Sequence, residues 1–389
     1  MEFKKGLLKM SIDIRWLTYN DRNSALLLLN SIFSAANERF EDFRNIFPRI
    51  FSVNVEKNIP QHIGAFENGK LIGISAAYFL NYRIGDDILH VCANGNIAVA
   101  NSARGKGIMG AMFEKIESDT SSKCDISYLH GKKGRYRLFG YEECGAQYNI
   151  SFTRHMLKNI VSVRYIFSDM RSNSFKQYQD ELMTIYKRKF DYIERSSEEF
   201  IPALTACGRI PICISDEQGG ICGYFSYDSG KESIEEFGFK NYFDADKILK
   251  SFMNFIQKDI SIRVNEYDKD LLDYLIRISE NYTVSAPALF KINHFENVVR
   301  ICLKNKVKHK KNLPYGSLCI KSDMLKSPLF IENNKEGVWA EFRPDAEKYD
   351  IELNGYELHR FLFGIHRQKY IGDERDIWFP LPLYIPYLS

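Results

Sequence analysis

The run "QHIGAFENGKLIGISAAYFLNY" (61–82) is rich in β-forming residues and is broken once, by the polar pair Asn68-Gly69. It predicts two strands joined by a hairpin, because Asn-Gly accepts the positive φ angles of a two-residue turn. A further β-prone run covers 88–99, and its tail, Asn96 to Val99, closes on a polar break. Then the period changes. Ile108, Met109, Met112, Phe113 and Ile116 fall on one stripe of a helix, which predicts a helix over 104–119. "DISYLHG" reads as a strand, "GRYRLFGYEECG" as a connection, and the alternation near 146–153 as another strand. Upstream, "NDRNSALLLLNSIFSAANERFEDFRNIFPRIF" reads as helical. Its Phe40, Phe43, Phe47 and Phe51 recur at near-helical spacing and are expected in the core.

The order then returns. "RIPICISDEQGGICGYFSYDSGKESIEEFGF" predicts three strands with turns at Gln218-Gly219-Gly220 and Ser229-Gly230. "DADKILKSFMNFIQK" follows as a helix, "SIRV" as a strand and "KDLLDYLIRISE" as a helix. A second module of the first kind is therefore expected. Beyond it, "GSLCIKSD", "SPLFIENNKEGVWAEF" and "YDIELNGYELHRFLFG" predict a few strands and a last helix, a smaller third unit. The expected division is 1–157, 158–298 and 299–389, in an α+β (mixed α/β) chain.

Composition narrows the class. The 389 residues are 45% hydrophobic and 26% charged, which is globular and enough for two or three domains. A net charge of +3 does not argue for nucleic acid, and the longest basic run, "KNKVKHKKN" (304–312), reads as a solvated helix end. The eight cysteines include no CxxC pair, and no histidines stand at zinc-ligand spacing, so reduced thiols and no metal are expected. "MEFKKGLLKMSIDIRW" has no sustained apolar core and is not read as a signal peptide. "ALLLLNSIF" is far too short for a membrane span. A cytoplasmic protein is expected.

Chemistry concentrates in "ANSARGKGIMGAMFEKIE" (100–117). A strand, a turn holding Arg104, Gly105, Lys106 and Gly107, and then a helix offer free backbone N–H groups to an anion. Glycine allows close backbone approach, and Arg104 and Lys106 add positive charge. Pyrophosphate is the ligand this suggests. A Walker turn is excluded, because Gly107 is followed by Ile108. "GKGIMG" matches GxGxxG, but the preceding connection is longer than a Rossmann turn. The next strand also ends in His130-Gly131 instead of an acid.

The stretch resembles motif A of the GNAT acetyltransferases, Arg/Gln-x-x-Gly-x-Gly/Ala, with Met109 where that family has glycine or alanine and Gly110 after it. With "RYRLFGYEECG" and the tandem order, the chain resembles the enhanced intracellular survival (Eis) family. That family joins tandem GNAT folds to a sterol carrier protein-like domain. The resemblance implies an acetyl-CoA site at Ile97, Ala98, Val99, Arg104, Gly105, Lys106, Gly107, Met109 and Gly110. It implies one such site, since "GFKNYFDADKIL" in the second module lacks RxxGxG and carries acids. It also implies a symmetric homo-oligomer.

Acetyl transfer to an amine needs an oxyanion held, a thiolate protonated and an amine deprotonated. Backbone N–H groups at 97–99 suit the first. The resemblance gives the second to Tyr136, the first tyrosine of "YxxFGY", with Tyr141 as competitor; phenols titrate near about 10, slightly above thiols. Arg135 and Arg137 stand beside it as candidate partners of an adenylate phosphate. For the base, His130, Glu142 and Glu143 are candidates. So is the end of the apolar tail "DIWFPLPLYIPYLS", which should be buried at roughly 25 cal/mol per Å². The resemblance makes the α-carboxylate of Ser389 that base. Asp86-Asp87 and Glu142-Glu143 are candidates for an acidic acceptor pocket. The acceptor is expected to be a primary amine, on an aminoglycoside, a polyamine, a lysine side chain or an amino sugar. A longer acyl-CoA donor, or a non-enzymatic lipid- or metabolite-binding protein, are the alternatives.

Overall fold

Strand β1 (Ile12–Trp16) leads into a helix, Arg22–Asn37, which ends where Glu38 turns left-handed at φ 53°. The expected continuous helix stops there. Two single-turn helices follow, Phe43–Ile46 and Pro48–Phe51, separated at Phe47 because a residue before proline is driven out of the helical region. Phe43 and Phe51 are buried, Phe47 is half-buried and Phe40 is 81% exposed, so the phenylalanine stripe enters the core only in part. The computed structural model describes residues 12–310, 312–365 and 371–386.

The hairpin forms as expected. Asn68 and Gly69 take φ of 52° and 75° between β2 (His62–Glu67) and β3 (Lys70–Ile84). Strands β4 (Asp87–Val99), β5 (Ile126–Leu129) and β6 (Glu142–Cys144) continue the first module, and β7 (Gln147–Phe152) follows at once. The second module contributes β8 (Ile166–Asp169), β9 (Asp191–Ile193), β10 (Ile210–Ser215), β11 (Ile221–Asp228), β12 (Ser233–Phe239), β13 (Ile260–Asn265), β14 (Asn281–Ser285) and β15 (Ala288–Ile292). The last unit has β16 (Gly316–Ser322), β17 (Leu329–Asn334), β18 (Gly337–Phe342) and β19 (Ile351–Leu353).

These strands build three sheets in a mixed α+β fold. The first runs β1-β2-β3-β4-β5-β15-β6, with β9 paired to the far end of β3. The second runs β14-β7-β13-β12-β11-β10-β8, and the third β18-β17-β16-β19. The first two sheets therefore exchange strands. β7, next in sequence to β6, pairs with β13 and β14, while β15 returns to pair with β5 and β6. Sheet membership thus crosses the expected boundary at 157/158, and the helix Phe295–His309 runs through the one at 298/299.

The cores follow the same exchange. Leu29, Tyr128, Phe290, Val298, Leu318 and Trp378 share one apolar cluster that joins the first sheet, the helix Phe295–His309, the third sheet and the tail. The centre of the second module, including Phe225, Phe252 and Ile262, packs separately. The basic run at the end of the 295–309 helix is not simply solvated. Lys304 and Lys308 pair with Asp87 and Asp86, and Lys306 donates to the carbonyls of Trp378 and Pro380 (2.9 and 2.7 Å). Among the described residues no helix is long and apolar enough to cross a membrane.

Candidate active site

Strand β4 is parallel to β5 only from Val91 to Ala93, opposite Ile126 to Tyr128. It then runs on to Val99, paired on its other side with β3. The two strands therefore part, and one edge of β4 faces a gap. Which backbone groups face it is set by the register. Ile74 lies opposite Ala98, and the Ala100 N–H donates to Ile72 O at 2.8 Å. Strand alternation then turns the backbone of Ile97 and Val99 away from β3, into the gap. The ladder slips just before this point, between Ile74 and Ala76, where Asn96 takes φ 50°. One extra residue in β4 makes a bulge, which bends the strand and re-aims the residues beyond it.

The helix Ile108–Thr120 begins at the open end of the same strand. Its start is later than the sequence suggests, because Gly105 and Gly107 sit at φ 77° and 75°. Nothing lies within 4 Å of where a Cβ on either glycine would project. The first intrahelical bond runs from Ala111 N–H to Gly107 O, so the N–H groups of Ile108, Met109 and Gly110 precede it. Its N-cap residue, Gly107, has no side chain with which to cap this end. The chemistry is that of an anion cradle: bare backbone donors, a helix N-terminus and the exposed Arg104. Lys106 stands 3.0 Å from Glu67, which offsets part of its charge.

Between gap and helix lies a small apolar cluster. It joins Ile97, Met109, Phe113, Leu129, Tyr136 and Tyr141. The structure thus brings Tyr136 to the strand and helix residues expected at the coenzyme site. Its ring is buried against Phe113 (centroids 5.8 Å apart) and over Gly131, and its hydroxyl makes no hydrogen bond with a described residue. Tyr141 differs. Its hydroxyl accepts from Asn94 Nδ2 at 2.8 Å, and burial pushes its phenol well above the usual range. Met109, half-buried, packs against this cluster.

Other candidates are placed elsewhere. Glu142 is fully buried and ion-paired with Lys133, with Arg137 at 3.4 Å and Arg360 at 3.9 Å, so it is not a free base. Glu143 pairs with Lys133 at 3.0 Å. Asp86 and Asp87 are held by Lys308 and Lys304. These four acids do not build an acceptor pocket. Arg137 stacks on Tyr356 (4.4 Å) and pairs with Glu142, whereas Arg135 is exposed. His130 is solvent-accessible at the end of β5 but surrounded by protein. That setting, with Arg263 nearby, brings its imidazole down to about 4.

Ser389 lies outside the described residues. The tail before it is buried as expected. Trp378, Phe379, Leu381, Leu383 and Ile385 are almost wholly enclosed. Tyr267 Oη donates to Pro382 O (2.9 Å), and Tyr128 Oη, on β5, donates to Pro386 O (3.4 Å). The tail therefore ends its described course beside the strand that lines the gap. No group of metal-ligating side chains occurs among the described residues.

Comparison with known proteins agrees with this geometry. Residues 13–144 match the family model described as acetyltransferase (GNAT) domain. No curated protein matches the chain. Three solved structures share its fold over nearly its whole length. One is from Enterococcus faecalis V583, titled "Probable N-Acyltransferase", with TM-score 0.64, 11% identity and 90% of each chain covered. Another is a GCN5-related N-acetyltransferase from Kribbella flavida, with TM-score 0.60, 12% identity, and 90% of this chain and 88% of that one covered. The third is Eis1 from Mycobacterium abscessus, with TM-score 0.56, 15% identity and the same coverage. At such identities the likeness concerns the fold. The parted strands, the open helix start and the family match together make residues 13–144 an acetyltransferase (GNAT) domain and the chain an acyltransferase enzyme.

Proposed function

We propose that the chain is an acetyl-CoA-dependent N-acetyltransferase in which a primary amine attacks the thioester directly, both substrates being bound together. The observation that carries this reading is the parting of β4 from β5 after Ala93, which leaves the Ile97 and Val99 backbone facing a gap. Acetyl-CoA fits the donors that surround this gap. Backbone groups of Ile97 and Val99 would align its pantetheine arm and thioester carbonyl, while Ala98 between them, expected to share this task, turns its own backbone to β3. Arg104, Gly105, Lys106 and Gly107, with the first-turn N–H groups at Met109 and Gly110, would hold its pyrophosphate. Tyr136 is the proton donor to the departing thiolate.

The α-carboxylate of Ser389 is proposed to take the amine's proton. Support comes from the buried tail and from Tyr128 on Pro386 O; three further residues span about 10 Å at most. The three-part division at 157/158 and 298/299, with a sterol carrier protein-like last unit, remains part of this reading. A single coenzyme site per chain also fits. The second module's helix Ala245–Ile256 follows Asp244 and has no glycine turn at its start.

Mass spectrometry of an amine panel incubated with acetyl-CoA tests the function. Aminoglycosides, polyamines, lysine peptides and amino sugars belong in it. Acetylated product is expected from at least one class. Absence of acetyl-CoA binding would favour the binding-protein alternative.

The placement has its own test. Gly107→Val should weaken acetyl-CoA binding at least about tenfold, because the side chain would fill the space the phosphates need. The fold should lose only about 1–2 kcal/mol for a left-handed valine in open surroundings. Titration calorimetry gives the comparison, and unchanged affinity would move the pyrophosphate elsewhere.

A further inference from the structure

Asn96, the residue in the β4 bulge, is held from behind. Its Nδ2 donates to Tyr78 Oη at 2.6 Å, and Tyr78 Oη lies 2.8 Å from His62 Nε2. His62 Nδ1 is 3.1 Å from Asn58 O and 3.2 Å from Ile59 O. Two carbonyls can only accept, so the Nδ1 position carries the proton. Nε2 is then an acceptor, the Tyr78 hydroxyl must donate to it, and the hydroxyl's lone pair must face Asn96. Each donor in this chain has one direction. His62 and Tyr78 are buried, and enclosure keeps the imidazole neutral by holding it near 4. Phe51 and Tyr78 pack against the imidazole ring, 5.6 and 5.3 Å between centroids.

The position of this chain gives it a role. Asn96 immediately precedes Ile97, whose backbone faces the gap. A left-handed residue in the middle of a strand is strained unless something fixes it. The amide–phenol–imidazole chain supplies that constraint.

We propose that Tyr78 and His62 are positioning residues for acyl transfer: through Asn96 they set the β4 bulge and so aim the Ile97 N–H at the thioester carbonyl. This rests on the acetyl-CoA reading above. Removing the link should leave the coenzyme's phosphates bound and the carbonyl poorly held. It should therefore appear in the carbonyl itself before it appears in affinity for the rest of the molecule.

The test uses acetyl-CoA labelled with carbon-13 at the thioester carbonyl, bound to the full chain. In the wild type the carbonyl resonance should move downfield on binding, as hydrogen bonding polarises it. In Tyr78→Phe and Asn96→Ala it should return most of the way to the free position. Affinity for CoA, which lacks the carbonyl, should stay within about twofold, and turnover should fall about tenfold or more. Should Tyr78→Phe fail to fold, Asn96→Ala still decides, because it leaves the Tyr78–His62 bond in place. A carbonyl resonance that is the same in wild type and Asn96→Ala overturns the proposal. Failure of the wild type to bind acetyl-CoA at all would instead overturn the functional reading.

Discussion

Gly145→Ala should unseat the C-terminal segment and with it most of the activity. Gly145 stands at the crossing where the chain leaves β6 in the first sheet for β7 in the second. Its φ is 76°, a conformation that costs alanine about 1–2 kcal/mol. Steric overlap costs more. A Cβ at this position would lie 1.8 Å from the carbonyl oxygen of Leu383 and 2.9 Å from its carbon. Backbone cannot rotate away as a side chain would, and the Gly145 N–H is itself tied to Phe363 O at 2.6 Å. The tail or the crossing has to move. Neither moves freely, because Leu381, Leu383 and Ile385 are buried on this path, each worth about 1.5–3 kcal/mol. The expected result is a melting temperature lower by about 5 °C or more, since clashes of this kind belong to the large end of single-residue effects. Limited proteolysis should cut near 378–386 in the variant and not in the wild type. A variant that melts normally and keeps its tail protected would mean that the strand crossing and tail do not meet as described.

The contrast between local and distant features explains what could be read from the residues alone. The hairpin at Asn68-Gly69 and the helix over Ile108–Thr120 were legible because turn chemistry and a 3.6-residue stripe are written in neighbouring positions. So was the burial of the tail, which has too much apolar surface to remain in water. The exchange of β7 and β15 was not legible. Each strand alternates equally well in either sheet, and only the partner strands, more than a hundred residues away in β14 and β5, decide. Glu142 and Glu143 failed as site candidates for a related reason. Lys133 is close in sequence, but Glu142 also has Arg360 at 3.9 Å, brought in by the helix Glu357–Phe363. Lys306 sits among basic neighbours that suggest a solvated helix end, and its anchoring of Trp378 O and Pro380 O arises only when the tail arrives. The bulge left a usable trace in Asn94-Gly95-Asn96, three turn-favouring residues inside a strand.

Tyr136→Phe is expected to lower kcat by about 10²–10⁴-fold, the range of a lost general acid. The two tyrosines of "RYRLFGY" make a controlled comparison, because the fold treats them differently. Tyr141 is enclosed and its hydroxyl serves Asn94, so Tyr141→Phe leaves a buried amide donor unpaired. It should cost about 1–3 kcal/mol of stability and little turnover. Tyr136 packs through its ring on Phe113 and Gly131, and phenylalanine preserves both contacts. Its stability should therefore change by less than about 1 kcal/mol, and its affinity for acetyl-CoA by less than about threefold, if the hydroxyl acts only once the thiolate begins to leave. A fall in kcat with an unchanged Kd for acetyl-CoA separates proton donation from simple packing against the coenzyme, which would weaken binding and turnover together. The leaving group offers a second discriminator. An acetyl thioester of an acidic thiol needs less protonation on departure, so the penalty of Tyr136→Phe should shrink with such a donor. If the penalty is independent of the thiol, or if Tyr141→Phe is the variant that stops turnover, the proton comes from another group and Tyr136 is a wall of the coenzyme site.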